Sequence, residues 1–269
     1  MNTTRKEMSV IECILLAVCP VFVLWNGWNL LWEYWGKGFF WRFFPGNIEQ
    51  APYTVRFLTF AVLMLLFFSI WYWFGSTRKR ERWGGFGWNS LRPDILVLSA
   101  VMGLLLQRIT VAYLLNSAGL NASLFNDFYE KYSQISRSSL PGILALAILI
   151  PIVEELAFRG LTFGYLAKIL PFWVANVLQA LLFAPYHQTP LQAGFAFVCG
   201  LFMGWLLYRT WHLRNCVIAH MVFNYLFMPM SARLSGYNGF LENIVAVISI
   251  VLLAGICMLI HRISGKKRS

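Results

Sequence analysis

Residues 150–159 read IPIVEELAFR and place two adjacent glutamates, Glu154 and Glu155, inside a run of apolar residues. A charged side chain at the centre of a bilayer costs at least about 2.5 kcal/mol, so such a residue needs a partner or a function. Glu155 and Arg159 are four residues apart and can pair on one face of a helix, whereas Glu154 lies about 100° further round. The spacing therefore predicts a structural Glu155–Arg159 pair and leaves Glu154 without such a partner.

The rest of the chain is apolar as well. Of its 269 residues, 59% are hydrophobic and only 12% are charged, a composition that excludes an ordinary soluble domain. Apolar runs long enough to cross a bilayer, at roughly 20 residues each, occur at 9–31, 53–75, 94–116, 141–165, 172–187, 191–209, 215–230 and 242–262. We predict an all-α, polytopic membrane protein of about eight transmembrane helices with a buried active-site cavity, and a single membrane domain over residues 1–269.

The net charge of +11 does not indicate a nucleic-acid partner, because the basic residues lie between the apolar runs and not on one folded face. Lysine and arginine concentrate on the cytoplasmic side of membrane proteins. On the predicted topology one side of the bilayer collects Arg5, Lys6, Arg78, Lys79, Arg80, Arg82, Lys168, Arg209, Arg214, Lys266, Lys267 and Arg268. This distribution predicts an integral membrane protein with both termini in the cytoplasm.

Pro151 lies three residues before Glu154, within the same apolar run. Proline has no backbone N–H, so it tends to bend a helix and leaves a carbonyl that a nearby group or water must satisfy. We therefore expect a bend at Pro151 and interpret it as the mark of a cavity.

Three polar side chains in later apolar runs are candidates to act with Glu154, namely His187, His220 and Asn224. A single histidine in a helix is more often a packing or hydrogen-bonding residue. The combination of these three groups with Glu154 favours a functional site instead. Counted from the cytoplasmic boundary at the helical rise, Glu154 and His187 lie about 21 and 22 Å deep, and His220 and Asn224 about 9 and 15 Å. The four side chains can therefore meet, with some helix tilt.

These residue types suit peptide hydrolysis. A carboxylate in an apolar pocket, here Glu154, is a competent base for activating water near neutral pH, and His187 can hold and polarise that water. The attacked carbonyl becomes an oxyanion, which needs donors already in place, and His220 with the amide of Asn224 can supply them.

The same residues form three ordered motifs: Glu154-Glu155-x-x-x-Arg159, Phe183-x-x-x-His187 and His220-x-x-x-Asn224. With them the chain resembles the CAAX protease and bacteriocin-processing family of intramembrane endopeptidases, over a catalytic core at roughly 140–230. The resemblance implies that Glu154 is the base, that His187 positions water, that His220 and Asn224 stabilise the oxyanion, and that Glu155 and Arg159 support them.

The cofactor is left open between two versions. Glu154, His187 and His220 could bind a divalent metal such as zinc, since catalytic zinc often has three such ligands plus water. We favour a reaction that needs no cofactor, because Asn224 suits an oxyanion donor better than a zinc ligand.

The resemblance also implies the partners, which are the lipid bilayer and a protein or peptide substrate that is membrane-bound or prenylated. Short loops and a compact chain favour the bacterial branch and a bacterial cytoplasmic membrane. The alternative is a catalytically silent membrane scaffold or a bacteriocin-immunity or regulatory protein. A proton-coupled transporter using Glu154 as a relay ranks last, because no inverted repeat is visible.

Overall fold

The computed structural model describes residues 8–30, 38, 53–74, 91–136, 143–187, 189–231 and 239–265, and all regular structure in these ranges is helical. We number the helices in chain order. They are α1 (Val10–Leu30), α2 (Tyr53–Phe74), α3 (Pro93–Leu120), α4 (Ala122–Ser136), α5 (residues 143–166), α6 (Phe172–Phe183, followed by a 3₁₀ turn at Ala184–Tyr186), α7 (Pro190–Thr210), α8 (Leu213–Ser231) and α9 (Gly239–Gly265).

Each of the eight apolar runs coincides with a helix, so the all-helical prediction is confirmed for the described residues. By length and composition, three of the helices described are able to cross a membrane: Pro93–Leu120, Pro190–Thr210 and Gly239–Ser264. The number of eight transmembrane helices stays a prediction.

Helix α4 was not expected, because the sequence between 117 and 140 reads as a polar loop. Its apolar residues fall on one face, where Phe128 is fully buried and Leu124 and Phe125 pack against the core, while Asp127 is exposed on the other. The side chain of Asn121 accepts a hydrogen bond from the N–H of Leu124 at 3.1 Å, which caps the new helix. The segment whose composition suggests a loop therefore contains an amphipathic helix that lies against the bundle.

Helix α5, which carries both glutamates, lies at the centre of the described helices. Every residue from Val153 to Leu166 is buried, and α1, α2, α6 and α8 all contact this helix. The hydroxyl of Thr162 donates to the carbonyl of Ala17 in α1 at 2.8 Å. A helix enclosed on all sides can be apolar all round, which explains the composition of this segment.

Small residues allow the helices around α5 to approach closely. A Cβ atom on Gly103 in α3 would lie only 2.0 Å from the carbonyl oxygen of Ala219 in α8, and one on Gly204 in α7 would lie 1.8 Å from Oδ1 of Asn176 in α6. Lipid tails are as apolar as leucine, so helices in a membrane associate through close packing and hydrogen bonds rather than by excluding water. The glycine at 103 therefore sets the distance at which α8 lies from α3.

We expect Gly103→Ala to destabilise the protein by about 1–3 kcal/mol, because the added methyl group must displace the backbone of α8. Gly119→Ala, in the same helix, is the matched control: nothing lies within 4 Å of its added Cβ, and its effect should stay within about 0.5 kcal/mol. Thermal unfolding of the purified protein in detergent measures both. Equal midpoints for the two variants would contradict the close approach.

Candidate active site

Helix α5 changes its hydrogen-bond register on both sides of the two glutamates. Residues Ala145–Leu149 and Leu156–Thr162 form π-helical turns, and the α-helical turn Ile150–Glu155 lies between them. Turns of this kind appear mostly as local widenings of α-helices, often at functional sites. The glutamates therefore lie on the regular α-helical turn between two wider, π-helical turns.

The predicted pair of Glu155 and Arg159 is present. Arg159 Nη1 lies 3.0 Å from Glu155 Oε1, and both side chains are 0% exposed. The guanidinium carbon of Arg159 also lies 4.4 Å from the centre of the Phe183 ring, in a cation–π contact. Because the pair is fully buried, either charge alone would be strongly unfavourable there.

His220 lies between the two glutamates and contacts both. Its Nδ1 is 2.8 Å from Glu155 Oε1, and its Nε2 is 3.5 Å from Glu154 Oε2. Glu154 therefore has a neighbour that the spacing of the motif alone did not reveal, and Glu155 holds Arg159 and His220 through a single oxygen. The structure joins the first and third motifs directly.

His187 follows the end of α6, because Pro185 interrupts the regular helix after Phe183. The ring Nδ1 of His187 lies 3.1 Å from the carbonyl oxygen of Phe183. A carbonyl only accepts hydrogen bonds, so this contact places the ring proton on Nδ1 and leaves Nε2 of a neutral His187 with a lone pair. That nitrogen can accept a hydrogen bond from water.

Phe183 connects the second motif to the charged cluster. Its ring packs edge-on against His187, with centroids 4.7 Å apart, and against His220 at 6.2 Å, besides lying under Arg159. The aromatic residue of the motif is thus the common neighbour of both histidines and the arginine. The sequence motif contains Phe183 but does not indicate this position.

Tyr186 was not singled out from the sequence. Its ring centroid lies 5.8 Å from that of His187 and 6.0 Å from that of Phe158. The only signal in the sequence is its place beside the histidine of the second motif.

Asn224 lies one helical turn after His220, as the spacing predicts, and it also contacts α5. Its side-chain Nδ2 donates to the backbone carbonyl of Leu146 at 3.2 Å. One amide hydrogen of Asn224 is therefore committed to the backbone of the first π-helical turn.

The fit of a metal ion follows from the same distances. The ligand set considered from the sequence was Glu154, His187 and His220. Among the residues that the structure describes, which include these three, no three histidine, cysteine, aspartate or glutamate side chains are grouped so that they could hold a metal ion. The metal-free reaction therefore stays a prediction, and no reaction step below passes through a metal ion.

Fold and site together define a class of protein: a helical membrane protein with a buried acid–base cluster. The family model described as type II CAAX prenyl endopeptidase Rce1-like matches residues 136–226, a segment that contains all three motifs. This match supports the resemblance to CAAX proteases that the three motifs indicate. Three of the chain's described helices are long and apolar enough to cross a membrane, as in an integral membrane protein. No curated protein and no solved structure matches the chain.

The two glutamates should differ in how much their replacement lowers the free energy of unfolding. We expect Glu155→Gln to lower the free energy of unfolding by about 3–5 kcal/mol, because it leaves the buried Arg159 charge without its partner. Glu154→Gln is the matched control and should cost about 1 kcal/mol or less, since its contact with His220 is longer than a hydrogen bond. Chemical or thermal unfolding in detergent compares the two variants, and a larger loss for Glu154→Gln would reverse the assignment.

Proposed function

We propose that this protein is an intramembrane endopeptidase in which Glu154 activates a water molecule for attack on a peptide bond. The observation that carries the proposal is the position of His220, which Glu155 holds by one ring nitrogen while the other faces Glu154. A base beside a histidine oriented by a third group is the arrangement that general acid–base and nucleophilic catalysis use repeatedly.

The charges of the cluster favour one additional bound proton. Ionised Glu154 and Glu155 carry two negative charges and Arg159 carries one positive charge. Net charge is expensive in an apolar interior, so one further proton stabilises the cluster. In the proposed mechanism this proton is on Nε2 of His220, which faces Oε2 of Glu154 at 3.5 Å.

The reaction begins with that proton on His220 and with Glu154 as the carboxylate. Glu154 takes a proton from water while the water oxygen bonds to the scissile carbonyl carbon. The carbonyl oxygen becomes an oxyanion, which the Nε2–H of His220 stabilises. The carbon–nitrogen bond then breaks, and Glu154 passes its proton to the leaving amine, which restores the base.

His187 and Asn224 complete the proposed site. The unprotonated Nε2 of His187 accepts a hydrogen bond from the attacking water and holds it in place. Asn224 has a second amide hydrogen beyond the one that it donates to Leu146, and this hydrogen is the one that can serve the oxyanion. Neither role requires a metal ion or another cofactor.

The substrate class follows from the family and from the surroundings of the site. We propose that the substrate is a membrane-bound or prenylated protein or peptide, because Glu154 and His220 are buried in a bundle of apolar helices, three of which are able to cross a membrane. We also propose a bacterial cytoplasmic membrane with both termini in the cytoplasm, as the distribution of basic residues predicts.

The decisive experiment uses purified protein in detergent and peptides that end in cysteine, two aliphatic residues and a variable residue, with and without a farnesyl group. We expect cleavage by the natural protein and a loss of about 10²–10⁴-fold in Glu154→Gln, the contribution typical of a general base. Mass spectrometry of the products locates the cleaved bond. The exposed Glu130→Gln variant is the matched control and should keep full activity.

A metal chelator in the same assay tests the cofactor. We expect activity to survive the chelator; loss that added zinc restores would overturn the metal-free mechanism. Unchanged cleavage in Glu154→Gln would exclude Glu154 as the base. No cleavage of any peptide, by a protein that binds them, would favour the scaffold function instead.

A further inference from the structure

The carbonyl of Leu146 lies at the point where α5 departs from regular helix. In an α-helix this oxygen accepts from the N–H of residue 150, four positions later. Here the N–H of Ile150 donates instead to Ala145, five positions back. In the same register the donor for Leu146 would be residue 151, and residue 151 is proline, which has no N–H.

Leu146 therefore loses both of the backbone donors that a helix could offer its carbonyl. Inside a bilayer no bulk water is available to replace them, and an unsatisfied backbone group there costs several kcal/mol. Another helix must supply the hydrogen. The side chain of Asn224 in α8 does so, with Nδ2 at 3.2 Å from the Leu146 oxygen.

We propose that Asn224 is a positioning residue whose side-chain amide replaces the backbone donor that Pro151 removes from helix α5. Pro151 and Asn224 then act as one unit, although 73 residues separate them in the sequence. Glu154 follows Pro151 by three residues, and His220 precedes Asn224 by one helical turn. The bond consequently fixes the helix that carries the base against the helix that carries its histidine.

This role deepens the proposed function, because it concerns the same site, yet it can be tested without any substrate. A donor to the scissile oxyanion has no reason to depend on residue 151. A replacement for the missing backbone donor depends on it entirely. If residue 151 regains an N–H, the Leu146 carbonyl acquires a backbone donor in either register: residue 151 in the π register or residue 150 in the α register.

The test is a double-mutant cycle of Asn224→Ala and Pro151→Ala, read by unfolding of the full chain in detergent. In the natural background we expect Asn224→Ala to lower the ratio of folded to unfolded protein by about 5- to 150-fold, as for a buried polar group left unsatisfied. With alanine at 151 the same change should cost less than about threefold. A general loss of packing at Asn224→Ala would destabilise the protein equally in both backgrounds. A smaller loss of stability when the distant proline is replaced therefore points to the missing backbone donor.

Pro190→Ala is the matched control. Pro190 is the first residue of α7, where an N–H would have no helical acceptor, so this change should leave the effect of Asn224→Ala as large as before. If Pro151→Ala itself prevents folding, Pro151→Val restores the same N–H with the same number of side-chain carbons as proline and takes its place in the cycle.

An equal cost of Asn224→Ala in both backgrounds would overturn the proposal, because the amide would then be serving another group. So would an Asn224→Ala protein of natural stability that has merely lost cleavage, since Asn224 would then act on substrate alone. The proposed hydrolysis fails on a different result, which is cleavage that survives Glu154→Gln, so the two failures are distinguishable.

Discussion

One carboxylate, that of Glu155, organises the site. It is fully buried, and its Oε1 accepts from both Arg159 and His220. A charge in that position is stable only while its partners remain, because removal of one partner leaves another charge buried and unpaired. This single group therefore holds both Arg159 and His220 in position. His220 is in turn the neighbour of Glu154.

The same cluster explains why the second motif has an aromatic residue four positions before its histidine. Phe183 lies under the guanidinium of Arg159 and packs edge-on against His187 and His220. Its backbone carbonyl also fixes the ring proton of His187. One residue thus serves by its ring and by its main chain, and a smaller side chain there would remove the ring that contacts both histidines and Arg159.

Backbone hydrogen bonding in an apolar medium is the second constraint. The glutamates lie between two widened turns, and the first of these leaves a carbonyl that α8 must satisfy through Asn224. Support also comes from outside the family match, since Ala17 in α1 accepts from Thr162 in the second widened turn. The helices that precede residue 136 therefore help to hold the helix that carries Glu154.

Local spacing was enough to predict much of this. The eight apolar runs predicted the positions of eight helices. The four-residue spacing predicted the pair of Glu155 with Arg159, and Pro151 indicated that a backbone carbonyl in α5 lacks its helical donor. These features depend on helical periodicity and on the chemistry of single residues, which are properties that the sequence carries directly. The amphipathic helix α4 was missed because its polar face makes the segment resemble a loop.

The sequence by itself determined that the chain is helical and apolar and that it contains three polar motifs whose residues suit hydrolysis. Only the tertiary structure decided that His220 lies between the two glutamates, that Phe183 adjoins both histidines, and that Asn224 bonds to Leu146. Periodicity places side chains on a face of their own helix but carries no information on the rotation and depth of a neighbouring helix. Those are set by packing, as at Gly103 against Ala219, and packing joins residues that are far apart in the chain.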